Sequence, residues 1–316
     1  MAKNPAVAVI DIGSNSIKVL VATRAADGRV TPLATRTIEA RISTGISQAN
    51  PRLTEEGMAR GLDAIGLLLA EAASFSPTHT VLVATSAVRD AQNGTEFRAR
   101  VFAATGLDIR ILTGDEEANL IGRGLTCDPA LVEQRNFYVF DLGGGSLECL
   151  AFRDRRVEQA ASLQLGCVRL TEKFVAAATR PFAAGDGEKI AAHVRAIFSG
   201  SRFRFLLPSG TTVVGTGGTL ATVRAVLGAR HGKAFEQTDP LITVAQLREL
   251  LAILSALSLA ERKKTPGLPP TRADIFPTAL ATLIAVAKLG GFAGYQNSLY
   301  NLRYGLAAEM LDPAAD

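Results

Sequence analysis

Apolar positions in the first forty residues fall in runs of aliphatic and β-branched side chains: Ala6 to Ile10, Ile17 to Thr23 and Val30 to Ile38, with Asp27-Gly28 before the third. Runs of this kind, broken by an Asp-Gly turn, predict a three-stranded meander. Alternation follows. Helical spacing over about Thr54 to Ala73 gives way to a strand at Thr80 to Thr85, a helix around Glu96 to Ala104, a strand at Asp108 to Leu112 and a helix from Asp115. Strand and helix taking turns is the mark of an α/β sheet with helices on its faces.

A Cys-Asp-Pro break within Thr126 to Gln134 precedes a second opening of the same kind. Strands are expected at Asn136 to Asp141, Leu147 to Phe152 and Arg156 to Gln164, and later at Thr212 to Val214. A glycine cluster, Gly215 to Thr219, then leads into a helix over Leu220 to Leu227, and Leu302 to Leu311 closes the chain helically. DIGSNSIKVLVA from Asp11 and DLGGGSLECLAF from Asp141 share one form: strand, Asp, apolar residue, Gly, two small residues, Ser, strand. We therefore expect two similar α/β domains, residues 1–126 and 127–316, with the last helix able to return to the first. A ligand is expected in the cleft between them. A length of 316 residues suits two cores.

Composition narrows the function classes. With 47% hydrophobic and 20% charged residues, a packed protein is expected. A net charge of +4 mildly favours anionic partners, but no basic run exceeds Arg262, Lys263 and Lys264, and Phe and Tyr are not interleaved with basic residues in the manner of an RNA-binding sheet, so nucleic acid is not expected. Cys127, Cys149 and Cys167 fall singly, which fits neither a disulfide framework nor a zinc knuckle and points to the cytoplasm. His79, His193 and His231 are scattered. The apolar run closed by Asp11 is too short for a signal sequence, and Ala279 to Ala287, ended by Lys288, is too short to span a bilayer.

The chemistry lies in the glycine turns. A tight turn of Gly and Ser between two strands can offer several backbone N–H groups to one anion, because no Cβ obstructs approach. Gly13, Ser14 and Asn15 form one such loop, and Gly143, Gly144, Gly145 and Ser146 the other; Gly217 and Gly218 add a third cluster. Asp11 and Asp141 each close an apolar strand beside a loop, where hard oxygen ligands imply Mg²⁺, with capping of the turn as the alternative. In TGDEEA, Thr113 and Glu116 have capping-box spacing, so Glu117 is left to face another direction as a general base. The competing account makes all three acids complements of the helix dipole. Period-two alternation puts Ser146 and Glu148 on one face. Arg89, expected at a helix start, is either a phosphate clamp or a surface ion pair.

These segments together resemble the exopolyphosphatase and guanosine pentaphosphate phosphohydrolase family, within the actin, Hsp70 and sugar kinase fold superfamily. DIGSNS, ATSAVRDA from Ala84, TGDEEANLI from Thr113, FDLGGGSLE from Phe140, LGCVRLTEKF from Leu165, GTGGTLA from Gly215 and NLRYGLAAEML from Asn301 carry the resemblance in order. It implies an actin-like (ribonuclease H-like) pair of α/β domains. It also implies a catalytic base at Glu117, Mg²⁺- and water-positioning acids at Asp141 and Glu148, and a phosphate contact at Arg89. Phosphate loops are implied at Ser14, Asn15, Gly144, Gly145 and Ser146, with Mn²⁺ as the alternative metal. Thr278 and Ala279 stand where the family often has glycine, which favours inorganic polyphosphate over the guanosine pentaphosphate nucleotide (pppGpp) as substrate. Leu147 stands where Thr is common.

Exopolyphosphatase activity is the leading expectation, with Arg41, Lys18 and Arg272 as further chain contacts. pppGpp hydrolysis, a non-catalytic polyphosphate or alarmone sensor, and a small-molecule kinase are the alternatives. No membrane partner is expected, and a homodimer is left open.

Overall fold

The computed structural model describes residues 5–312. They divide into two compact units, residues 5–132 with 300–312, and residues 133–299. The boundary lies after Val132 rather than at Thr126. The short turn Pro129–Leu131 is capped by Asp128, which accepts from the Ala130 N–H at 2.9 Å, and it buries Leu131, so the segment belongs with the first unit.

In the first unit the meander is β1 (Ala6–Ile12), β2 (Ile17–Arg24) and β3 (Val30–Ile38). It is followed by α1 (Glu55–Ala73), β4 (His79–Ala84), α2 (Ser86–Arg89), α3 (Gly94–Thr105), β5 (Ile109–Ile111) and α4 (Gly114–Thr126). The second unit runs β6 (Phe137–Leu142), β7 (Leu147–Arg153), β8 (Arg156–Leu163), α5 (Cys167–Phe174), α6 (Ala184–Gly200), β9 (Thr212–Thr216) and α7 (Gly217–Arg230). Then come β10 (Leu241–Thr243), α8 (Val244–Ala256), α9 (Leu259–Arg262), α10 (Phe276–Gly290) and β11 (Gly294–Asn297), before α11 (Leu302–Met310) returns to the first unit.

The first sheet has the order β3-β2-β1-β4-β5 and the second β10-β11-β9-β6-β7-β8. Both pair a meander antiparallel and then add parallel strands to its first member: β1 with β4, and β6 with β9. Strands β1 and β6 are therefore central and almost wholly buried, which explains their apolar runs. Beside β6, Tyr138 and Phe140 pack with Phe203, Phe205 and Phe292 at centroid separations of 5.4–6.4 Å.

Helices α4 and α11 meet backbone to backbone. A Cβ on Gly124 would stand 2.0 Å from the Asn301 carbonyl oxygen, and one on Gly305 would stand 1.9 Å from that of Leu120. Small residues are required at both positions, and they fix the helix whose first turn carries Glu117. Alanine in a helix interior ordinarily gains about 1 kcal/mol over glycine. At Gly305 the sign should reverse, with Gly305→Ala losing about 1–3 kcal/mol through overpacking. Thermal melts check this; an unchanged or higher Tm would contradict the contact.

Candidate active site

In the first unit the turn between β1 and β2 is closed by the Gly13 N–H donating to the Ser16 carbonyl at 3.1 Å. Its own carbonyls are turned away: Asn15 O accepts from the Arg41 N–H at 2.9 Å, and Ser14 O from the Ser43 N–H at 3.3 Å. Side chains reinforce the arrangement. The Ser14 and Ser86 hydroxyls lie 3.1 Å apart, the Asn15 amide donates to Glu39, and Arg41 Nε donates to Asn15 Oδ1 at 3.1 Å. Asn15 thus spends its side chain on Glu39 and Arg41. The register sets Asp11 opposite Lys18, so its cross-strand neighbour is a cation.

The capping box at the start of α4 is present. Thr113 Oγ1 accepts from the Glu116 N–H at 3.2 Å, while Glu116 Oε2 accepts from the Thr113 N–H and hydroxyl, each at 2.9 Å. These bonds from Thr113, with the Arg110 guanidinium, hold the Glu116 carboxyl down at about 2. Glu117 is the acid that does not cap. It is 6% exposed, and its Oε2 accepts from Arg89 Nη1 at 2.8 Å. Arg89 also donates to the Leu112 carbonyl at 3.1 Å. Arg89 is the last residue of the four-residue α2 rather than the start of a helix, because Thr85 and Ser86 already turn the chain after β4. Its position there brings the guanidinium to Glu117.

The second unit repeats the turn: the Gly143 N–H donates to Ser146 O at 3.0 Å. Here α5 takes the carbonyls. Gly143 O accepts from the Cys167 N–H at 3.0 Å, Gly144 O from the N–H groups of Val168 and Arg169 at 2.9 and 3.2 Å, and Gly145 O from Arg169 Nε at 2.9 Å. The amides of Gly144, Gly145 and Ser146 take no part in these bonds. Counting outward from the turn, β6 and β7 pair Leu142 with Leu147 and Asp141 with Glu148. Two carboxylates thus stand directly opposite, an arrangement unfavourable in itself and relieved by a cation. Glu148 is 2% exposed and accepts from the Ser162 hydroxyl at 2.8 Å.

Asp141 lies against Gly217, whose φ of +82° and lack of a Cβ are both needed, since a Cβ would sit 2.0 Å from Asp141 Oδ1. The Asp141 carboxylate therefore rests on the first turn of α7, where the helix dipole favours negative charge. Helix α7 begins at Gly217 rather than Leu220, and β9 continues to Thr216, so Gly217 and Gly218 are a helix start rather than a loop. The low helix propensity of two glycines hides that start in the sequence. Arg272, 7% exposed, lies with its guanidinium against Gly218.

Each unit thus gathers its own share of the expected residues: Asp11, Gly13, Ser14, Asn15, Arg89 and Glu117 in the first, and Asp141, Gly143, Gly144, Gly145, Ser146, Glu148, Gly217 and Gly218 in the second. Among the described residues no three His, Cys, Asp or Glu side chains form a metal-holding group. The Asp141–Glu148 pair offers two hard oxygen ligands, and Mg²⁺ ordinarily completes its shell with waters and phosphate oxygens. Sequence reasoning missed the supports: Arg41 on Asn15, Ser162 on Glu148 and Arg169 on Gly145. The Asp141–Glu148 pairing could have been found by counting back from the turn.

Two α/β units, each opening on a strand–Asp–glycine-turn–strand hairpin, define an actin-like fold. The family model for Ppx/GppA phosphatases matches residues 20–313, and the chain belongs to that family, a family of hydrolases. An exopolyphosphatase from Cytophaga hutchinsonii shares 25% identity over 97% of this chain and 98% of its own, with a TM-score of 0.84. The Aquifex aeolicus Ppx/GppA enzyme shares 23% identity over 96% and 99%, with a TM-score of 0.76, and an exopolyphosphatase-like protein shares 22% over 98% of each, with a TM-score of 0.86. No described helix is long and apolar enough to cross a membrane.

The capping box gives a prediction. The Glu116 carboxyl titrates near 2 when folded against an ordinary value of 4.5, so its stabilisation is complete above about pH 4.5 and lost as pH falls toward 2. Glu116→Gln should flatten the acid limb of Tm against pH in that window, and Thr113→Ala should cost about 1 kcal/mol at neutral pH. An unaltered acid limb would contradict the box.

Proposed function

We propose that the chain is an exopolyphosphatase, releasing orthophosphate from the ends of inorganic polyphosphate. The observation that carries this is Glu117: buried, relieved of capping by Glu116, and held by Arg89, it has the posture of an ionised base rather than of a helix cap. The likeness to an exopolyphosphatase over nearly the whole of both chains agrees with it. Water attacks the terminal phosphorus in line, its proton passes to Glu117, and the bond from that phosphorus to the bridging oxygen breaks. The shortened chain leaves with the electron pair. Backbone amides of the glycine turns receive the charge on the phosphoryl oxygens.

Asp141 and Glu148 are the residues to hold Mg²⁺, or Mn²⁺ in its place. The ion, when bound, neutralises charge on the phosphoryl oxygens. Glu148 also positions water, Arg89 acts through Glu117 as well as on phosphate, and Asp11 balances Lys18. Three free cysteines fit a reducing cytoplasm. Nucleic acid and membranes are not proposed as partners, and a homodimer is compatible with the reading.

Thr278 sits fully buried as the third residue of α10, with its hydroxyl bonded to that of Thr171 at 2.8 Å, where glycine would let the protein backbone approach a nucleotide closely. This ranks polyphosphate above pppGpp. Orthophosphate release should be rapid from long polyphosphate and slow from pppGpp; turnover of the nucleotide alone would reverse the ranking. Glu117→Gln should lower turnover by about 10²–10⁴ while retaining polyphosphate binding. Chelation with EDTA should abolish turnover, and added Mg²⁺ restore it. Full activity of the Glu117→Gln enzyme would remove Glu117 from the chemistry.

A further inference from the structure

The second glycine turn lies on the start of α5, and the contact has no slack. A Cβ on Gly166 would fall 2.2 Å from the Gly145 carbonyl carbon and 2.3 Å from the carbonyl carbon and oxygen of Gly144. Through that approach the backbone N–H groups of Cys167, Val168 and Arg169 reach the carbonyls of Gly143 and Gly144. These N–H groups are given to Gly143 and Gly144, and the carbonyl of Gly145 accepts instead from a side chain, Arg169 Nε, at 2.9 Å. Arg169 is 9% exposed, in the first turn of α5.

A peptide unit turns as one plane, so fixing the Gly145 carbonyl also fixes the N–H of Ser146, which shares that plane. Helix α5 supplies backbone donors for two of the three turn carbonyls, and Arg169 completes the set. We infer that Arg169 is a positioning residue of the phosphate turn: it holds the Gly145–Ser146 peptide with its N–H toward the anion, and it does so without touching substrate. The inference rests on the reading of this turn as a phosphate site. It also explains why a guanidinium is placed here, since a charge-assisted bond to a carbonyl holds more firmly than a neutral one.

The test is direct binding of inorganic phosphate to the whole protein by calorimetry, which needs no turnover, alongside orthophosphate release from polyphosphate. Arg169→Gln should weaken phosphate binding by about tenfold, the scale of one charge-assisted hydrogen bond, and Arg169→Lys should fall between it and the wild type. Val194→Ala, a change at a fully buried position of α6 that makes no bond to the turn, serves as the stability control: its Tm should fall with phosphate affinity kept. Wild-type affinity in both Arg169 variants would overturn the inference. So would an equal loss in Val194→Ala, or a wild type that binds no phosphate. A wild type that binds phosphate in an Arg169-dependent way but leaves polyphosphate intact would reject the exopolyphosphatase reading alone.

Discussion

A peptide turn has two electrostatic faces, and anion recognition depends on which one is tied down. Carbonyl oxygens facing a phosphate repel it, whereas N–H groups attract it, so the turn must be held by its carbonyls. In both units the turn carbonyls are tied down within the unit itself. In the first, the amides of Arg41 and Ser43 occupy the carbonyls of Asn15 and Ser14. In the second, α5 and the Arg169 side chain occupy those of Gly143, Gly144 and Gly145. The buried central strands β1 and β6, each ending in a carboxylate and a glycine, deliver the turns to these anchors.

One hairpin design carries different chemistry in the two units. Asp11 faces Lys18, a pair whose charges cancel, while Asp141 faces Glu148, a pair whose charges add. The second pair could be relieved by a cation, and Asp141 is seated on the first turn of α7, against Gly217. The first unit contributes a buried acid instead. Glu117 is set by Glu116, which caps the helix in its place, and by the Gly124–Gly305 crossing that locks α4 under α11. The proposed base, the proposed metal pair and the two glycine turns are thus each fixed by local structure.

What could be read in the sequence was whatever is written locally. Strand runs, the Thr113–Glu116 box and the repeated turn depend on residues within a few positions of each other. The meander β3, from Val30 to Ile38, falls where the hydrophobic pattern puts it. The start of α7 was misread, since Gly217 and Gly218 weaken the helical signal where the space beside Asp141 demands them. Long-range partners leave no local trace: nothing near Glu117 names Arg89, 28 residues earlier, and nothing near Gly124 names Gly305. Arg169 reads as one charged residue among many until its carbonyl partner is seen.

The central claim is that the amides of Gly144, Gly145 and Ser146 face an anion because their carbonyl neighbours are anchored. Backbone amide NMR during titration with inorganic phosphate tests it most directly. These three resonances should move together and saturate, with the turn of the first unit responding at Asn15 and Ser16, whose N–H groups share peptide planes with the anchored carbonyls of Ser14 and Asn15. Resonances that stay still at the turns while shifts gather elsewhere would contradict the account.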